Sequence, residues 1–176
     1  MDLHFRKATH ADIPQIWDIL SHAILRRKAD GSLQWQDGYP NLDIIQTDLN
    51  NDAGYVLSSG DTILGYCAIV VNDEPAYATI DGKWLTQSDF LVVHRLAISE
   101  NQLGKGYAKM IFERLETWAI SKNVFSIKAD TNFDNPAMLN IFKKLGYAYC
   151  GEVHFRGNSR KAYEKVLAKN APLEEI

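Results

Sequence analysis

The stretch Leu91-Val92-Val93-His94-Arg95-Leu96-Ala97-Ile98, continued by Ser99-Glu100-Asn101-Gln102-Leu103-Gly104-Lys105-Gly106-Tyr107-Ala108, decides how the chain reads. Its first eight residues are mostly apolar, rich in branched side chains and as long as a buried strand, so a strand is expected there. Gly104 and Gly106 mark a turn. Beyond it Ala108, Ile111, Phe112, Leu115, Trp118 and Ala119 recur at helical offsets, while Lys109, Glu113, Glu116 and Thr117 fall on the opposite face. The order is strand, glycine turn, amphipathic helix.

A helix start leaves backbone N–H groups without partners in the helix and carries partial positive charge, so it attracts phosphate. Glycines at 104 and 106 remove the Cβ atoms that would hold an anion away. A phosphorylated ligand is therefore expected, although paired glycines before a helix also serve simply as a turn, and the loop alone leaves both readings open. Two familiar phosphate loops are excluded. A P-loop requires a glycine at Ser99 and a hydroxyl at Gly106, and a dinucleotide fingerprint requires a small residue at Lys109.

The 176 residues, 46% hydrophobic and 23% charged, suit one soluble globular domain with its own core. A net charge of -3 argues against a sequence-independent nucleic-acid binder. The first residues lack a signal-peptide core, and no apolar run reaches membrane-span length, so a cytoplasmic protein with neither nucleic-acid nor membrane partner is expected. Cys67 and Cys150 lack metal or redox spacing and read as buried free thiols, and no metal site is expected.

Taken in order, residues 3–8 alternate as a strand, Thr9 and Asp12 resemble a capping box, and Ile13, Ile16, Trp17, Leu20 and Ile24 form one helix face. Trp35, Tyr39 and Pro40 sit in a loop before a short helix carrying Leu42, Ile45 and Leu49. Residues 55–58 and 62–71 flank Ser59-Gly60-Asp61 as a hairpin, and Gly65 hints at a bulge or a close backbone contact. Residues 72–88 form an ordered excursion around Tyr77, Ile80, Trp84 and Leu85. After a strand at 124–130 comes a fully marked helix: Asn135 as N-cap, Pro136 at the first position, Met138, Leu139, Phe142 and Leu145 on one face, Gly146 as the stop. Strands at 147–153 and 160–167 close the chain. The element order makes a mixed α+β layer arrangement.

Gln102, Leu103, Gly104, Lys105 and Gly106, behind the strand His94 to Ile98 and ahead of Ala108, resemble the acetyl-CoA signature of the GNAT superfamily (GCN5-related N-acetyltransferases), Gln/Arg-x-x-Gly-x-Gly/Ala. One residue rather than two separates Gln102 from Gly104, so Asn101 or backbone would stand in for it. The resemblance covers residues 91–147. It implies a single-domain α+β fold over residues 1–170, with a mixed, mostly antiparallel central sheet of about six to seven strands flanked by helices. An acidic tail follows at 171–176.

The resemblance further implies transfer of an acetyl group from acetyl-CoA to a primary amine, with CoA as product. The diphosphate would lie on the backbone of Leu103, Gly104, Lys105, Gly106, Tyr107 and Ala108, and the pantetheine arm would pair with Leu96, Ala97 and Ile98, beside a splay from the strand at 124–130. Asn132, Asn135 and Phe142 would contact the cofactor, and Lys143 or Lys144 its 3′-phosphate. An alkylamine is mostly protonated at neutral pH, which makes a base useful. His94, two residues before Leu96 on the same strand face, is the candidate, with packing at a sheet edge as its other reading; Arg95 points oppositely and reads as structural. The backbone N–H of Leu96 or Ala97 would polarise the thioester carbonyl. Where many family members carry a tyrosine proton donor this chain has Phe142, so Tyr147, Tyr107 or water would donate, or the thiolate would leave unaided. The phenylalanine also keeps open a CoA or acyl-CoA sensor without catalysis. Trp35 and Tyr39 are candidate acceptor contacts as well as candidate loop anchors. The acceptor, a small molecule or a peptide amine, is not specified by the sequence, which also allows a homodimer.

Overall fold

The strand at Leu91–Ile98 (β5) does form, and in the computed structural model, which describes residues 2–169, it is the fourth of eight strands in the hydrogen-bonded order β1-β2-β3-β5-β6-β8-β7-β4. The others are β1 (His4–Lys7), β2 (Gly54–Ser59), β3 (Thr62–Val71), β4 (Asp81–Gly82), β6 (Ser126–Thr131), β7 (Ala148–Phe155) and β8 (Asn158–Val166). The helices are α1 (Ile13–Ala29), α2 (Leu42–Asn50), α3 (Tyr107–Ser121) and α4 (Pro136–Leu145). This is the expected α+β fold with a mixed sheet, and the strand count rises from the expected six or seven to eight. The addition is β4. It pairs Gly82 with Gly151, and a Cβ on Gly82 would come within 2.2 Å of the Cys150 carbonyl oxygen. Two facing glycines permit that approach, which no local periodicity announces. The tail at 171–176 lies outside the described residues.

The described residues divide into two compact units, 2–69 with 94–111 and 70–93 with 112–169. In the first unit α1 buries Ile16, Ile19, Leu20 and Ala23, and α2 buries Ile45 and Leu49, against Val56, Tyr66 and Ala97 of the strands. The β2–β3 register shifts between Leu57 and Ser58, opposite Gly65. A Cβ on Gly65 would lie 3.2 Å from the Ala97 carbonyl oxygen and 2.6 Å from Ile98 Cδ1, so the expected bulge and the expected close backbone contact are both present. The capping residues also behave as expected, with Thr9 N donating to Asp12 Oδ2 at 2.7 Å.

In the second unit β6 pairs with β5 in parallel and with β8 antiparallel, and β8 pairs with β7. Tyr77, Trp84, Val92, Cys150, Val153 and Ala162 form a core cluster. The excursion after β3 thus supplies core residues, Tyr77 and Trp84, from a 3₁₀ turn (Pro75–Thr79) and the segment after β4. Asn135 Oδ1 accepts from Met138 N at 3.2 Å and Gly146 takes a left-handed φ of 76°, so α4 is capped at both ends as the sequence indicates. Both cysteines are buried free thiols.

Candidate active site

Four residues after β5 begins, at Arg95, its backbone departs from a regular strand. The β5–β6 ladder comprises Leu91↔Ile127, Val92↔Lys128 and Val93↔Ala129, and Arg95 then adopts a φ of 54°, in the left-handed region that costs a non-glycine residue about 1–3 kcal/mol. Three hydrogen bonds from Arg95 brace this conformation. Its Nε donates to Asp48 Oδ2 at 2.9 Å and its Nη2 to Asp48 Oδ1 at 2.5 Å, the two-pronged geometry in which guanidinium and carboxylate bind most strongly. Nη1 donates to the Tyr39 hydroxyl, and Tyr66 Oη donates to Asp48 Oδ2 at 2.6 Å. Burial alone would lower the Arg95 pKa, but Tyr39 and Asp48 outweigh it and hold the guanidinium above its ordinary value. Burial, with the Asp48 carboxylate behind it, pushes the Tyr66 phenol far up, so it stays a donor. Arg95 is therefore held in a structural ion pair, by a left-handed backbone that strand alternation does not describe.

This brace sets the stretch that follows. His94 and Leu96 flank Arg95 half-buried, and Ala97 and Ile98 are buried. Ser99 N donates to Leu64 O at 2.9 Å, which ties the end of β5 to β3. A 3₁₀ turn (Glu100–Gln102) leads into Leu103, and Lys105 Nζ donates to Gln102 Oε1 at 2.9 Å. Gly104 and Gly106 take φ of 74° and 85°, and a Cβ at either would meet open space. The glycines are therefore required by backbone conformation rather than by crowding, and the space before them is open. Met110 N donates to Gly106 O at 3.0 Å, opening α3 at Tyr107. Residues 94–98 and 102–108 thus come together in the first unit. Trp35 packs against this unit's core, and the Tyr39 ring lies 5.7 Å from the Arg95 guanidinium carbon.

The remaining expected site residues lie in the second unit. Asn132 is half-buried, and its carbonyl accepts from Asn135 N at 3.2 Å. Phe142 is wholly enclosed, with ring centroids of Phe112, Tyr147 and Tyr163 at 5.8, 5.4 and 4.7 Å. It offers no exposed surface to a ligand. The Tyr147 hydroxyl is buried without a hydrogen-bond partner among the described residues, and burial, reinforced by Glu116, raises its pKa well above that of an ordinary phenol. Lys143 and Lys144 are exposed on the last turn of α4.

Sequence reasoning passed over Asp48, which orients Arg95 from 47 positions away. The available signal was an arginine inside an apolar strand, which demands a buried acceptor. Similar charges inside strands, Lys128 and Glu164, mark the second unit.

With this geometry in place, comparison with known proteins is decisive at the level of the family. A model of the acetyltransferase (GNAT) family matches residues 17–147. The chain belongs to the GNAT acetyltransferases. A GNAT-family acetyltransferase from Streptococcus agalactiae is 34% identical, with 95% of this chain and 96% of that one covered at a TM-score of 0.87. Streptothricin acetyltransferase from Escherichia coli is 27% identical over 66 residues, and this GNAT chain spans 38% of that relative's length. The fold is shared with yncA of Salmonella typhimurium, solved with its cofactor acetyl-CoA, at 16% identity and a TM-score of 0.68, with 99% of each chain covered. Among the described residues no helix is long and apolar enough to cross a membrane, and no cluster of three metal-ligating side chains occurs.

Proposed function

We propose that this GNAT protein transfers the acetyl group of acetyl-CoA to a primary amine by direct attack in a ternary complex. The observation that carries the reading is the open glycine turn at 104 and 106, placed between a braced strand and the start of a fifteen-residue helix. The residues there fit a diphosphate, because no neighbouring atom fills the space where the Cβ atoms of Gly104 and Gly106 would stand and the α3 start adds its unpaired N–H groups and dipole. Residues 103–108 would hold the diphosphate, and Leu96, Ala97 and Ile98 would pair with the extended arm like an added strand. Bound acetyl-CoA would supply the acyl group and a thiolate leaving group. The N–H of Leu96 or Ala97 would polarise the carbonyl, and His94 would take the proton from the acceptor ammonium. Asn132 and Asn135 are proposed contacts of the cofactor arm, and Trp35 and Tyr39 of the acceptor. For the thiolate's proton, Tyr107 or solvent suits better than Tyr147, whose phenol is enclosed and holds its proton tightly. A thiol pKa of about 8.5 also lets the thiolate leave unaided.

One observation favours a second reading, a CoA or acyl-CoA sensor. Phe142 stands where many relatives carry the donor tyrosine, and it is fully packed. Release of free thiol from acetyl-CoA across a panel of amines separates the two. The enzyme predicts release with at least one amine, and His94→Ala should lower kcat by about 10²-fold or more and remove the rising limb of the pH profile. A melting temperature raised by acetyl-CoA without thiol release selects the sensor, and no shift with acetyl-CoA rejects both.

A further inference from the structure

Within the second unit, the excursion 72–90 and β6 enclose a cleft of about 440 Å³ that the acetyl-transfer reading does not use. Its floor is Lys128. This residue is only 3% exposed, yet its ammonium makes no hydrogen bond and no ion pair among the described residues. It lies instead 4.0 Å from the Phe90 ring centroid and 4.6 Å from that of Trp84. Ring faces attract a cation but offer it no lone pairs, so its N–H donors are left for whatever enters the cleft. The nearby carboxylate is already committed. Glu164, opposite Lys128 in the β6–β8 register, accepts from Leu85 N, Thr86 N, Thr86 Oγ1 and Ser126 Oγ. Burial lowers the Lys128 pKa, against the pull of Glu164, so a new anionic partner would be gained at a desolvated donor.

We propose that this cleft binds a small organic carboxylate with an apolar body, its carboxylate on Lys128 Nζ and its body against Trp84, Phe90 and Ile80. A phosphate dianion fits less well, because one lysine is a single point charge without the forked or multiple donors that phosphate takes. An amine ligand is disfavoured by the same ammonium. The acidic rim at Asp73 and Glu74 does not compete for the floor: Glu74 Oε1 accepts from Ala76 N at 3.2 Å, and Asp73 is exposed. The proposal does not depend on the acetyl-transfer reading.

The test is titration of the whole chain with phenylacetate and with its uncharged analogue phenylacetamide, by calorimetry and by tryptophan fluorescence. Phenylacetate should bind at least tenfold more tightly than the amide. Lys128→Met, which keeps the stem and removes the charge, should erase that difference, while Lys83→Ala at the rim should preserve it. Equal affinity for the two probes, absence of binding by both, or an undiminished preference in a folded Lys128→Met variant each overturns the proposal. The comparison of probes on the unmodified protein decides the matter even if the variant does not fold.

Discussion

Arg95 in the first unit and Lys128 in the second are both cations sunk into apolar β-strands, and they are accommodated in opposite ways. Arg95 takes a two-pronged bond to Asp48 and a third to Tyr39, so each of its guanidinium nitrogens donates within the protein. Lys128 is tolerated by the faces of Trp84 and Phe90, while the adjacent acid, Glu164, is satisfied by backbone amides and hydroxyls. The difference follows from side-chain chemistry. A planar fork matches a carboxylate and locks geometry, whereas an ammonium is a point charge that ring quadrupoles can hold without fixing its donors. The first arrangement suits a brace that keeps a left-handed residue in place beside the candidate catalytic strand. The second suits a site that keeps binding capacity in reserve.

Breaking the brace should cost most. Arg95→Met leaves the buried Asp48 carboxylate with Tyr66 as its one side-chain donor among the described residues, and urea unfolding should show a loss of about 3–5 kcal/mol. Comparable stability in that variant would mean the pair does not hold the β5 conformation. Glu164→Gln keeps the volume but turns one acceptor into a donor facing N–H and O–H groups, so a loss of about 1–3 kcal/mol is expected. Lys128→Met should lie within about 1 kcal/mol of the parent, because relief of desolvation offsets the lost contact with the rings. A cost near that of Arg95→Met would erase the contrast between the two cations.

The smallest effect is one of pH. The Arg6 guanidinium, with Thr9 adding donors and burial opposing, holds the Asp12 carboxyl at about 2, below the ordinary 3.8. A folded pKa below the unfolded one contributes stability that is present above about pH 4 and is lost as pH falls toward 2. Asp12→Asn should therefore flatten the acid limb of the stability profile between those values. An unchanged limb would show that the Arg6–Asp12 pair is not what couples this unit to acid.

Legibility in the sequence followed the range of the interaction. The cap, proline and stop of α4 at Asn135, Pro136 and Gly146 act within a few residues, and all three hold in the structure. The hairpin across Gly60 and the strand, turn and helix around Gly104 are equally local. The excursion 72–88 could be read as ordered but not in its internal structure, because what orders it is distant: Glu164 grips Leu85 and Thr86, and Asp130 accepts from Tyr77 Oη at 2.8 Å. β4 escaped notice because two residues carry no periodicity. Within the site, the glycine turn could be read directly. The partner of Arg95 could not, although a charge inside an apolar strand announces that a partner is needed.

The sequence by itself determined the glycine turn, the capped helix α4 and the resemblance to the family, since each rests on residues whose effects reach one helical turn or one hairpin. Only the tertiary structure decided that Arg95 takes a left-handed backbone against Asp48, that Phe142 is sealed among aromatic rings, and that Lys128 faces a cleft. These outcomes join residues tens of positions apart, and register and packing, rather than any local preference, bring them within bonding distance.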